Sequence, residues 1–195
     1  MFFDPLYSFV FAGMFSPGPN VILLTASGAR FGFRATLPHV IGVAFGVGLI
    51  AAVTAYGLGA VLLAMPWLKN GLKILAALWI LYLAWRLFRS SRAAQTKGTE
   101  QQPFTINQAV LFQWVNPKIW VVALAATAGY ASDLTLAQEA LRMGVVFTAI
   151  NLFVGLFYSK AGQLLTRLFA SDSAWRGFMT VMALLLAVSA LMVFV

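Results

Sequence analysis

The sequence predicts an all-α membrane protein. Six transmembrane helices form two inverted three-helix repeats, with helices 1 and 4 broken mid-membrane. Three observations carry this. The 195 residues are 62% hydrophobic and 9% charged, against about 45–50% apolar and 25% charged in a soluble domain. The apolar residues gather into six stretches of the roughly 20 residues that a bilayer requires. Two of these stretches are interrupted by prolines, at Ser16-Pro17-Gly18-Pro19-Asn20 and at Asn116-Pro117-Lys118.

In order, the first span runs from about Pro5 to Ala29. A short basic loop follows with Gly28, Arg30, Gly32, Arg34 and Pro38. The second span runs from about His39 to Met65 and is rich in small residues, among them Gly42 and Gly46, whose spacing lets helix backbones approach. The third runs from about Leu72 to Phe88. A polar linker, about residues 90–103, separates repeat one (about 1–89) from repeat two (about 104–195) within a single transmembrane domain, 1–195. The fourth span runs from about Phe104 to Ala131, the fifth from about Ala140 to Phe169 and the sixth from about Trp175 to Val195. Three spans per half is odd, so the second half enters from the opposite side. The pattern of a long broken span, a charged loop and a Val-Gly-Leu step (Val47-Gly48-Leu49, Val154-Gly155-Leu156) occurs in both halves.

A proline inside a helix removes a donor and clashes with the carbonyl four residues back. Pro17, Pro19 and Pro117 thereby free the carbonyls of Gly13, Phe15 and Gln113. In lipid such carbonyls survive only under cover of protein or a wet cavity. Each break also starts a new half-helix, with Gly18 or Asn116 as N-cap before a proline. Helix N-termini expose N–H groups and a positive dipole end, which suit an anion. Lys118, in a first turn, opposes that dipole and so calls for an anion nearby. Pro19 lies 14 residues into its span and Pro117 13 residues into its own. At 1.5 Å per residue both sit near the middle of a roughly 30 Å core. Paired breaks in two halves are a pointer to a transporter site; a lone break would more often be a plain kink.

Charge and composition exclude several functions. The net charge of +8 sits in short loops, as the positive-inside rule expects, which excludes nucleic acid as a partner. No cysteine is present, so disulfides and thiolate metal sites are excluded, and no cofactor or metal is expected. The N-terminus lacks a basic stretch and a clear cleavage site, so the first span reads as retained. Arg30, Arg34, Arg86, Arg89, Arg92, Lys97, Arg167 and Arg176 fall on one side, which is then cytoplasmic; both termini lie outside.

These residues resemble the LysE/RhtB family of bacterial amino-acid exporters. The resemblance rests on Ser16-Pro17-Gly18-Pro19-Asn20, the Gly28 to Arg34 basic loop and Asn116-Pro117-Lys118, and covers the whole chain. It implies efflux of amino acids or derivatives across the bacterial inner membrane, driven by proton motive force. By motif match it places Pro19, Asn20, Asn116, Pro117 and Lys118 at the central site. Exporters of basic amino acids in this superfamily tend to carry an acidic residue in the second span. Here Val43 to Leu49 holds none, which points to the homoserine, threonine and leucine branch and a neutral substrate. The absence of cysteine excludes the branch of thiol-disulfide carriers.

The substrate-binding set expected is Pro17, Gly18, Pro19, Asn20, Asn116, Pro117, Lys118 and Asn151, with no catalytic residue. Asn20 and Asn116 are expected to cap their own helices and present amides to substrate. Asn151 either faces the cavity or bridges helices. Lys118 is either an anchor on the freed carbonyls near Gly13, Phe15 and Gln113 or a contact for a substrate carboxylate. His39 reads as interfacial, and Thr25 and Ser27 as bonding their own backbone. Phe45, Phe147, Phe153 and Tyr158 are pocket candidates, although aromatics in spans usually pack. The leading function is secondary-active efflux by alternating access. The alternatives are a non-transporting assembly subunit and an intramembrane enzyme, the latter disfavoured by the lack of a nucleophile–base pair. Expected partners are a small-molecule amino acid and the lipid bilayer, with a homodimer left open.

Overall fold

The computed structural model describes residues 4–92, 102–166 and 171–194. Its elements are helical: α1 Pro5–Phe15, α2 Pro19–Phe31, α3 Phe33–Val53, a π-helical turn Thr54–Leu58, α4 Gly59–Ala64, α5 Pro66–Arg92, α6 Ile106–Trp114, α7 Pro117–Gly129, α8 Leu136–Leu165 and α9 Asp172–Leu191. Four helices are long and apolar enough to cross a membrane, and the count reaches six if each of two bent pairs is one span. The bent pairs are α1 with α2, at 59°, and α6 with α7, at 65°. They coincide with the two proline motifs. Most of the linker, with Lys97 and Glu100, lies outside the described residues, as does Arg167.

Helix starts follow the sequence. Asp4 accepts from Leu6 N–H at 2.9 Å ahead of Pro5. Thr105 with Gln108 and Thr135 with Gln138 form capping boxes, which satisfy orphan donors reciprocally. The second span differs from the reading above. It begins at Phe33, so Pro38 lies inside the helix and only Gly32, at φ 84°, separates α2 from α3. Pro38 is the sixth residue of α3, so it removes one helical donor and leaves the Arg34 carbonyl without its bond from four residues on. The same span is not continuous to Met65: Gly57 takes φ 118°, which breaks the helix. A Cβ at Gly57 would meet nothing within 4 Å, so glycine serves the backbone conformation there and not a close contact.

The long helices are held together by small residues. α2 is buried almost all round, between α3, α8 and α9. A Cβ at Gly28 would overlap the Ser159 carbonyl, and one at Gly162 would overlap the Thr25 carbonyl. Glycine on each helix therefore lets the α2 and α8 backbones touch. Gly42 and Gly46 do the same for α3 against α6. α3 packs on α8, and α5 on α9. The outer faces are apolar: Leu78, Trp79 and Trp85 on α5 and Leu184 and Val188 on α9 are exposed, as a surface in contact with lipid requires.

Candidate functional site

The two breaks meet. Lys118, in the first turn of α7, reaches across and donates from Nζ to the carbonyls of Ser16 at 2.5 Å and Pro17 at 3.5 Å. These are not the carbonyls near Gly13, Phe15 and Gln113 that the proline pattern suggests. Those three have other partners. Ser16 Oγ donates to Gly13 O at 2.9 Å, Tyr158 Oη donates to Phe15 O at 3.0 Å, and Asn116 N–H donates to Gln113 O at 3.1 Å. Each carbonyl freed by proline is thus satisfied nearby, which leaves Lys118 on the segment between the two half-helices.

Gly18 sets the room for that lysine. A Cβ there would lie 2.8 Å from Lys118 Cδ and 3.1 Å from its Nζ. Gly18 itself is extended, at φ 178° and ψ 179°, a conformation open to any residue. Glycine is therefore needed for space and not for backbone freedom.

Gln113 joins the motifs, and the motif reading does not find it. Its side chain is fully buried. Its Oε1 accepts from Asn20 Nδ2 at 2.8 Å and from Asn116 Nδ2 at 3.5 Å, while its Nε2 donates to Ala109 O at 2.8 Å. Neither asparagine caps its own helix through its side chain, contrary to the expectation above. Their N–H groups are committed to Gln113, and both Oδ1 atoms are buried without a protein partner. The signal for Gln113 was its place: one turn before Pro117, polar, in an apolar span.

Asn20, Asn116, Lys118 and Asn151 line one cavity together with Gly18 and Met14. Asn151 thus faces the cavity. Pro17, Pro19 and Pro117 shape the breaks without lining it, and the space is narrow, at ≈ 10 Å³, the room of about one water molecule. Of the aromatic pocket candidates, Tyr158 alone touches a break. Phe45 and Phe153 face outward and Phe147 is in the core. Thr25 bonds its own backbone at Val21 O, whereas Ser27 pairs with Thr36. His39 is buried among the helices: only 2% of it is exposed, and both ring nitrogens lack a protein partner.

A bundle of long apolar helices, with two bent pairs meeting around a lysine and three asparagines, has the architecture of a multi-pass membrane protein. The chain belongs to the LysE type translocator family, whose profile matches residues 11–195. It is a transporter and not an enzyme. It is 28% identical over 183 residues to the cysteine/O-acetylserine efflux protein of Escherichia coli strain K12, a match covering 92% of this chain and 90% of the relative. The proteins of that description from Shigella flexneri and Shigella sonnei are similar to the same degree over the same shares of each chain. No solved structure matches the chain.

Proposed function

We propose that this transporter exports a small neutral amino acid or derivative across the inner membrane, and that the meeting point of the two breaks holds the substrate. One observation carries the reading: the site presents a cation, Lys118 Nζ, beside two buried and unpartnered amide oxygens, Asn20 Oδ1 and Asn116 Oδ1. That set complements a zwitterion. The lysine and the half-helix N-termini take the carboxylate, and the amide oxygens accept from the ammonium. Intramembrane polar groups of this kind mark substrate pathways by default. The efflux relatives are named for cysteine and O-acetylserine; both carry a carboxylate and no cationic side chain, which supports a neutral cargo.

A cavity with room for about one water cannot hold an amino acid, so binding requires the bundle to open. Alternating access supplies that motion if one three-span half moves against the other. The packing supports two inverted halves, about 1–89 and 104–195. Exchanging the halves maps the bent pairs onto each other. It maps the α3–α8 and α5–α9 contacts onto themselves, the α1–α8 contact onto α6–α3 and the α2–α8 contact onto α7–α3, although α2 carries most of the packing in one half and α6 in the other. The distribution of basic residues supports a topology with the termini outside and the linker in the cytoplasm. Proton motive force is the proposed drive.

Counterflow in proteoliposomes tests the reading. Vesicles loaded with unlabelled cysteine, O-acetylserine, threonine or leucine should accelerate uptake of the labelled neutral amino acid, and lysine-loaded vesicles should not. Preferred exchange of lysine would overturn the neutral specificity. An absence of flux with every amino acid would favour the assembly-subunit reading.

A further inference from the structure

A second cavity, with several polar groups in its wall, lies at the opposite end of the α1–α2 pair from Asp4. It measures ≈ 80 Å³; Ser27, Arg30, His39, Arg86 and Gln102 are the polar groups on walls that are otherwise apolar, Leu23, Leu83 and Phe104 among them. Arg30 of α2 and Arg86 of α5 bring two positive charges to the wall of the same cavity. His39 is buried beside them, stacked on Phe104 at 4.9 Å between ring centroids, with neither ring nitrogen partnered by protein. Two like charges and an unsatisfied imidazole at one point favour an anion with several oxygens.

This cavity continues into an apolar groove. α5 packs mainly on α9, and α6 mainly on α3. Between α5 and α6 runs a groove of ≈ 630 Å³, lined by Leu75, Trp79, Leu111, Phe112 and Val115 with Thr105 and Gln108 on the α6 side, which shares Arg86, Gln102, Pro103 and Phe104 with the Arg30–His39–Arg86 cavity. From Arg86 back to Leu75 is eleven residues of helix, a length of about 16 Å. The hydrocarbon of one leaflet is about 15 Å deep.

We infer that the Arg30–His39–Arg86 cavity and the α5–α6 groove together form a site for one anionic phospholipid. The phosphate sits between the two arginines with His39 donating to it, and an acyl chain follows the groove down the leaflet. Charge complementarity selects the headgroup, since basic pockets between transmembrane helices bind anionic lipid heads. The apolar groove selects a lipid over a free anion. The inference does not depend on the substrate site at the breaks, which lies on a different set of side chains.

Native mass spectrometry of the purified, delipidated protein tests it with three probes: phosphatidylglycerol, phosphatidylethanolamine and glycerol 3-phosphate. Phosphatidylglycerol should bind at least tenfold more tightly than phosphatidylethanolamine, and glycerol 3-phosphate should not bind. The Arg30→Gln/Arg86→Gln variant should abolish the preference. Val115→Trp, which fills the groove and keeps the charges, should weaken both lipids. Equal binding of the two lipids to the unaltered protein would overturn the inference, with no variant needed. So would tight binding of glycerol 3-phosphate, which would mark a free-anion site instead. An unchanged preference in folded Arg30→Gln/Arg86→Gln, checked by its melting curve, would also overturn it.

Discussion

Lys118 Nζ donates to the carbonyl of Ser16, a residue 102 positions earlier in the chain. The bond ties the first turn of one half-helix to the segment that interrupts the other bent pair. In the proposed mechanism, substrate binding and relative movement of the two pairs act on the same side chain. A carboxylate entering the site competes with the Ser16 and Pro17 carbonyls for the ammonium.

Lys118→Met keeps the length of the side chain and removes the charge. Hydrogen bonds to charged groups contribute about 1.5–3 kcal/mol, so binding of a neutral amino acid should weaken about 10-fold or more. Lys118→Arg should also bind poorly, because a planar fork replaces a point charge. Scintillation-proximity binding on purified protein reads both. Unchanged affinity in Lys118→Met would make Lys118 a structural anchor only.

Gly18→Ala places a methyl group against the end of Lys118. A flexible side-chain end moves aside readily and the backbone at residue 18 suits alanine, so the melting temperature should stay within a few degrees. Transport should fall because the ammonium is displaced. Equal losses of stability and transport would show that the contact is structural.

Tyr158→Phe deletes the donor that satisfies Phe15 O, one of the carbonyls freed by proline. A buried acceptor left without a partner costs about 1–3 kcal/mol, and this bond is only partly buried, so the low end of that range applies. Thermal unfolding in detergent should report a loss of that order. A melting temperature equal to that of the parent would mean that the carbonyl finds another donor.

Asp4 pairs with Arg142 at 2.8 Å, and Arg142 also pairs with Glu139 at 2.9 Å. The Arg142 hydrogen bond, then the Leu6 N–H, holds the Asp4 carboxyl below its ordinary value of 3.8. A pKa lowered on folding contributes stability above the unfolded value, and the contribution is lost as pH falls through the folded value. Asn caps helices as well as Asp does, so Asp4→Asn isolates the ion pair. It should lower stability slightly at pH 7, by at most about 1 kcal/mol. The difference should shrink below pH 3.8. A difference that persisted undiminished at pH 2 would assign the effect to the cap.

The orientation proposed for the chain is checked by cysteines at Ser91 and Ser132 in a sequence that has none of its own. An impermeant thiol reagent added to intact cells should label the cysteine at position 132 and spare the one at 91. Labelling of both positions would refute the arrangement.

The sequence by itself determined the membrane class, the positions of the six apolar stretches, the two proline breaks and the family. These are properties of local chemistry: apolar length set against bilayer thickness, and the donor that proline lacks. The helix starts at Thr105, Thr135 and Asp4 are equally local, since a cap contacts residues two or three positions away. Tertiary structure decided the rest. Lys118 bonds Ser16 and Pro17 because the freed carbonyls of Gly13, Phe15 and Gln113 were already satisfied by Ser16, Tyr158 and Asn116. Asn20 and Asn116 turned from their own helices to Gln113, 93 and three positions away. His39 became buried because Pro38 was absorbed into α3 and the helix started six residues early. Lys118, Asn20 and Asn116 each took the partner that packing brought nearest, and His39 was left with none among protein atoms; the order of residues along the chain does not specify either outcome.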